Sequence, residues 1–173
     1  MIGGITWNED GNPAFCCLVN RRQQKAEETL ETPKVYIEIV KEIEAPTLRD
    51  LFDKLSSEGR ITDIYAQKGA KYNSFIRDFM DWKRQSNPSL KLKCSSTSSF
   101  EAGVLKIKEL VLKNEIKFPE QSKIRSQLRI FSKLSLKSES QFYAVGALTN
   151  VIGEFRPRPN ATVQKDPKLS AWY

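Results

Sequence analysis

Residues 34–66, KVYIEIVKEIEAPTLRDLFDKLSSEGRITDIYA, change hydrophobic period twice and thereby decide the fold class. In residues 34–42, Val35, Ile37 and Ile39 alternate with Tyr36, Glu38 and Val40, which is the period of a strand. Pro46 and Thr47 then open a segment in which Leu48, Leu51, Phe52 and Leu55 recur at helical spacing. Thr47 is a residue type that caps helix N-termini, and Asp50 puts a carboxylate in the first turn. Gly59 stops this helix, and residues 61–66 return to a strand. The alternation predicts an α/β domain.

Upstream, residues 2–7 (IGGITW) read as a short strand that enters the turn-forming run 8–13 (NEDGNP). Residues 14–20 (AFCCLVN) are nearly continuous in apolar side chains, as expected of a strand covered on both faces. These two strands make a hairpin, and polar residues 21–33 read as an exposed loop or ribbon tip. Downstream, a second helix is predicted from about 72 to 85, with Phe75, Ile76, Phe79, Met80 and Trp82 or the stem of Lys83 inward. A fifth strand covers 90–95. The Ser/Thr cluster 95–99 caps a third helix over 100–113, whose apolar residues are Val104, Leu105, Ile107, Leu110 and Val111. Residues 115–118 are extended, 122–132 are helical or strand-like with Ile124, Leu128 and Phe131 apolar, and 141–153 form a strongly apolar helix. The sum is a mixed central sheet, a three-strand meander followed by alternating helices and strands, flanked by helices. One domain is expected over residues 1–155, with an irregular, proline-containing tail over 156–173.

Composition narrows the function classes. The chain has 173 residues, 39% hydrophobic and 28% charged, enough to build a core and too apolar for a disordered chain. No apolar run approaches the ~20 residues of a bilayer crossing. The N-terminus has no secretory pattern, so an intracellular, cytoplasmic location is expected. Histidine is absent, which excludes histidine triads, relays and zinc ligands. Cys16, Cys17 and Cys94 are odd in number and two are adjacent, as suits small apolar residues in a reducing interior. The eight glycines form no GxGxxG or P-loop pattern, so this chain carries no ATPase half.

Charge is uneven. The net charge is +7, but residues 1–66 hold 8 basic and 12 acidic side chains, whereas residues 67–173 hold 20 basic and 9 acidic. A one-sided positive field favours a polyanion, most often nucleic acid. The candidate phosphate contacts are Lys68, Lys71, Arg77, Lys83 and Arg84, then Lys123, Arg125, Arg129, Lys133 and Lys137. In a helical 123–133 the second group falls mostly on one side. Tyr65, Tyr72, Trp82 and Phe131 are interleaved; they read mainly as core, or as stacking partners for bases.

The order of elements resembles the ribonuclease-H-like plan. The segment Gly3-Gly4-Ile5-Thr6-Trp7-Asn8-Glu9-Asp10-Gly11 resembles the first hairpin of the nuclease domain of phage terminase large subunits, the DNA-packaging motors. The resemblance extends over residues 61–66, 105–118, 122–131 and 141–152, about residues 2–155 in all. It implies carboxylates on adjacent strand ends and on the final helix, holding two Mg2+ or Mn2+ ions that activate water for DNA cleavage. This sequence departs from that pattern. The first aspartate position falls on Thr6, the second on Gln67 or its neighbour, and the third within 138–143, a stretch whose only acid is Glu139 and which ends at Tyr143. A hydroxyl and an amide cannot neutralise two dications. Substitute acids are Glu9, Asp10, Glu38, Asp63 and Glu139, with Glu9, Asp10 and Glu139 as the weak metal candidates. The resemblance therefore implies a DNA-binding, catalytically degenerate relative of the terminase nuclease, with packaging or other phage-derived proteins as further partners. It leaves open an active Mg- or Mn-dependent endonuclease using substitute acids, and a protein-interaction module.

Overall fold

Among the described residues six strands form one sheet in the order β5-β4-β1-β2-β3-β6: β1 is Ile2–Thr6, β2 Ala14–Gln23, β3 Val35–Ala45, β4 Asp63–Ala66, β5 Lys91–Cys94 and β6 Ile116–Lys117. The computed structural model describes residues 1–7, 13–23, 35–67, 70–86, 89–130 and 139–155, with the side chains of 70, 71, 139 and 140 outside that description. The tail over 156–173, Phe131 and most of the expected loop over 21–33 lie outside it too. β1 pairs antiparallel with β2, and β2 with β3, whereas β4 pairs parallel with β1, β5 with β4 and β6 with β3. Only β2 is therefore reversed, and the other five strands end at one edge of the sheet. This is a mixed α/β fold with a central sheet flanked by helices.

Helices α1 (Leu48–Ser57) and α2 (Ala70–Ser86) cover one face, where Leu51, Phe52, Leu55, Phe75, Phe79 and Trp82 pack on Ile5, Cys16 and Leu18. Helices α3 (Phe100–Leu112), α4 (Lys123–Ile130) and α5 (Tyr143–Ile152) cover the other, where Val104, Ile107, Ile124 and Leu148 meet Phe15, Cys17 and Val19. The apolar run of β2 thus supplies both cores through alternate residues. Burial of both Cys16 and Cys17 pushes their thiol pKa values up, so they sit neutral as small core residues. No helix among the described residues is long and apolar enough to cross a membrane.

Local chemistry explains the element ends. Thr47 Oγ1 accepts from Asp50 N at 3.1 Å, Ser99 Oγ accepts from Ala102 N at 3.2 Å, and Gly59 ends α1 with φ of 64°. Several sequence expectations need correction. β2 continues through Arg21–Gln23, because its polar residues 20–23 pair with 35–38 of β3. β3 runs on to Ala45, and its register with β2 slips by one between Leu18 and Val19, leaving Val40 unpaired. This bulge turns odd-numbered residues to the other face, so Ile37 and Ile39 join the α5 side while Ile43 and Ala45 join the α1 side. Ile76 and Met80 are exposed rather than inward, and the apolar Leu105 and Val111 of α3 are exposed as well. Their helices are broad in apolar residues, and only one flank reaches the sheet. Residues 139–142 form a 3-10 turn before α5 rather than its first turn.

Candidate nucleic-acid interface and strand-end edge

The C-terminal end of β1 is held by helix α5. A Cβ on Gly4 would lie 1.9 Å from the carbonyl oxygen of Ala147, so only glycine lets the helix backbone approach the strand this closely. Thr6 Oγ1 donates to the Tyr143 carbonyl at 2.8 Å, and the buried Asn150 Nδ2 donates to the Ile5 carbonyl at 2.8 Å. β4 runs parallel beside β1 with Gly4 opposite Tyr65; carried two residues on, this register sets Gln67 level with Thr6. Thr6 therefore meets the N-terminus of α5 at Tyr143 at this strand-end edge, and Gln67 follows directly on the end of the neighbouring strand β4.

The same edge gathers residues that the sequence reading passed over. Thr6 pairs with Phe15 and Phe15 with Glu44, so these three share one row across the sheet, on the α5 side. The Tyr143 ring packs edge-on against Phe15 at 5.6 Å, and its hydroxyl donates to Glu44 at 3.3 Å. Glu44 also pairs with Lys123, whose ammonium lies 5.1 Å from the Tyr143 ring. Partial burial opposes the Lys123 charge, but Glu44 and the Tyr143 hydroxyl outweigh it and hold its pKa above the usual lysine value. Glu42, two residues earlier, accepts from Ser122 Oγ and from Lys123 N at 2.7 Å, placing a carboxylate at the N-terminus of α4. Glu44 escaped notice because the strand pattern ends at residue 42 in sequence, and the bulge at Val40 hides which side residues 42–45 face.

Helix α4 organises α5 in turn. Phe142 gives α5 no side-chain cap, and the buried Gln127 Oε1 accepts instead from Ala144 N at 3.0 Å and Val145 N at 3.2 Å. Two of the amides that a helix start leaves unpaired are satisfied from a neighbouring helix. With Ile124 and Gln127 inward, Arg125 and Arg129 project outward one turn apart. Both are exposed, and neither forms an ion pair with an acid among the described residues.

The remaining candidates separate. Lys123 is paired with Glu44, and Arg84 with Asp81 at 3.2 Å. Lys83 Nζ donates to the Leu90 carbonyl at 3.2 Å, just before β5, which puts Lys83 and Arg84 at the far end of the sheet from Thr6. Arg77 is exposed on α2, in the opposite layer from α4. The described candidates thus divide between two helical layers with the sheet between them. Lys68, Lys133, Lys137, Glu9 and Asp10, and the side chains of Lys71 and Glu139, lie outside the described residues.

Of the other substitute acids, Glu38 pairs with Arg22 at 2.7 Å and Asp63 with Lys93 at 2.8 Å, both remote from Thr6. Burial works against the Asp63 charge, yet hydrogen bonds from Lys93 and Thr62 hold its carboxyl below the usual range. No three His, Cys, Asp or Glu side chains among the described residues converge as a metal cluster. Trp7 points to the α2 side, edge-on to Phe75 at 5.5 Å, where it lines an open groove of about 480 Å3 with Pro46, Arg49 and Trp82. No protein-family model, curated protein or solved structure matches this chain.

Proposed function

We propose that this chain binds nucleic acid through the outward side of α4 and is a catalytically degenerate relative of the terminase nuclease domain, built on a ribonuclease-H-like sheet. The observation that carries the reading is the pair Arg125 and Arg129, exposed one turn apart and without an acidic partner among the described residues. Two guanidiniums at this spacing suit successive phosphates of one strand, and they belong to the half of the chain with a large basic excess. The α4 helix sits against the strand-end edge, so bound DNA would pass beside Thr6, Gln67 and Tyr143. The element order, and a closing helix laid over the central strand β1, support the ribonuclease-H-like assignment. At the positions where the family pattern has aspartates stand a hydroxyl and an amide, and Glu44, the acid in this row, is engaged by Lys123 and Tyr143.

Incubating labelled duplex and single-stranded oligonucleotides with the protein, with Mg2+ or Mn2+ present, tests both halves of the reading. Binding without cleavage is expected. Metal-dependent cleavage lost in Glu44→Gln would make this a working endonuclease with a substitute acid.

A further inference from the structure

The outer margin of β5 carries an inference independent of nucleic-acid binding. Among the described residues β5 is the last strand on its side of the sheet. Lys91 N donates to the Thr62 carbonyl at 3.0 Å and Ser95 N to the Ala66 carbonyl at 2.8 Å, so the odd-numbered residues turn their backbone groups toward β4. Leu92 and Cys94, which alternate with them, turn their N–H and C=O groups outward, where no strand pairs with them among the described residues. Such groups are a template for an added strand.

The two sides of this margin differ chemically. On the α2 side Leu92 packs partly into the core, and the adjoining flank of α2 exposes Ile76 (39%) and Met80 (44%). That flank faces β5 because Lys83, one turn beyond Met80, reaches the carbonyl before the strand. On the other side stand the exposed Lys91 and Lys93, the latter paired with Asp63 and lying over the Tyr65 ring. Lysines alone would read as protection against edge pairing. An apolar flank beside the open backbone is the opposite of protection.

We propose that the β5 edge accepts an extended segment of another protein in which acidic and apolar residues alternate. Backbone hydrogen bonds to Leu92 and Cys94 would extend the sheet. The apolar side chains would then lie along Ile76, Met80 and Leu92, and the acids along Lys91 and Lys93. A second copy of this chain is disfavoured as occupant: antiparallel self-pairing through Leu92 and Cys94 sets Lys93 opposite its counterpart, like charge against like.

The test uses the whole chain and a labelled, capped hexapeptide of alternating Glu and Val, read by fluorescence anisotropy. The alternating peptide should bind, and a Glu3Val3 block peptide of the same composition and charge should bind at least about fivefold more weakly. N-methylation of the alternating peptide at the inward-facing amides should weaken it about tenfold. Leu92→Pro, which removes an outward N–H together with the Leu92 side chain that lines the apolar side of the edge, should weaken it by at least as much. Should that variant fail to fold, Lys91→Glu serves: it should lose about fivefold for the Glu–Val peptide and gain for a Lys–Val peptide. Equal binding of the block and alternating peptides, indifference to N-methylation, or no binding of the alternating peptide would overturn the proposal.

Discussion

Replacing Gly4 by alanine probes the contact that fixes α5 over β1. The new Cβ would stand 1.9 Å from the Ala147 carbonyl oxygen and 3.0 Å from both the Ala147 carbonyl carbon and Val151 Cβ. Ordinary contact needs more than 3 Å, so the strand or the helix must move by over 1 Å. The obstructing atom is helix backbone, which cannot rotate aside as a side chain would. Overpacking of this kind costs about 1–3 kcal/mol and sometimes more, and a backbone clash belongs at the upper end. Alanine restricts the unfolded chain and returns about 0.5 kcal/mol. The net loss is about 2.5 kcal/mol, a shift of about 5–10 °C in Tm for a domain of this size. Gly3→Ala is the internal control. Its Cβ meets the Cys16 Sγ at 2.9 Å and Leu18 Cδ2 at 3.1 Å, side-chain ends that can give, and about 1 kcal/mol or less is expected. Urea and thermal melts of both variants compare them directly. A Gly4→Ala protein that melts with the wild type, or that is more stable than Gly3→Ala, would refute the close packing of α5 on β1.

Gln127→Leu should cost about 2 kcal/mol and raise amide exchange at Ala144 and Val145, because it strips the cap from α5 and leaves those N–H groups buried; hydrogen exchange by NMR measures it. Asp63→Asn should flatten the acid limb of the stability curve. The depressed native pKa of Asp63 means that its contribution is complete above the unfolded carboxyl range near 4 and is lost as pH falls through the native value, and urea melts between about pH 2 and 7 follow it. Cys16 and Cys17, buried and with raised pKa values, should resist a thiol reagent in the native protein and react only at the rate of unfolding; fast modification of either would contradict their placement in the two cores.

What could be read from residues alone depended on whether a local signal and the tertiary outcome coincide. In α1 they do: the Thr47 cap, the Leu48–Leu51–Phe52–Leu55 stripe and Gly59 each act within one turn, and all reappear in the structure. In α2 and α3 the apolar residues exceed one face, and the side that meets the sheet is set by the crossover, so Ile76, Met80 and Leu105 end in solvent. The bulge at Val40 has no local marker, and it decides which acids of β3 reach the strand-end edge. Glu44 was therefore invisible as a neighbour of Tyr143 and Lys123, and so was the capping of α5 by Gln127, a contact between helices joined through residues 131–138. The placing of β4 beside β1 did follow from strand order, and so did the approach of the closing helix to Thr6. Which cations share a side was not legible, because sequence counts charge along the chain while, among the described residues, the sheet separates α2 from α4.

The central claim, that Arg125 and Arg129 hold phosphates, is tested most directly by the salt dependence of binding to a duplex oligonucleotide between about 50 and 200 mM salt. In that range each lost contact changes the slope of log K against log salt by about 0.9. The Arg125→Ala/Arg129→Ala protein should bind every sequence more weakly and with a slope flatter by about 1.8. Arg21→Ala/Arg22→Ala should change little, since Arg22 is paired with Glu38 at the opposite end of the sheet. Equal slopes for the wild type and the α4 variant, or no binding by the wild type at the lowest salt, would contradict the account.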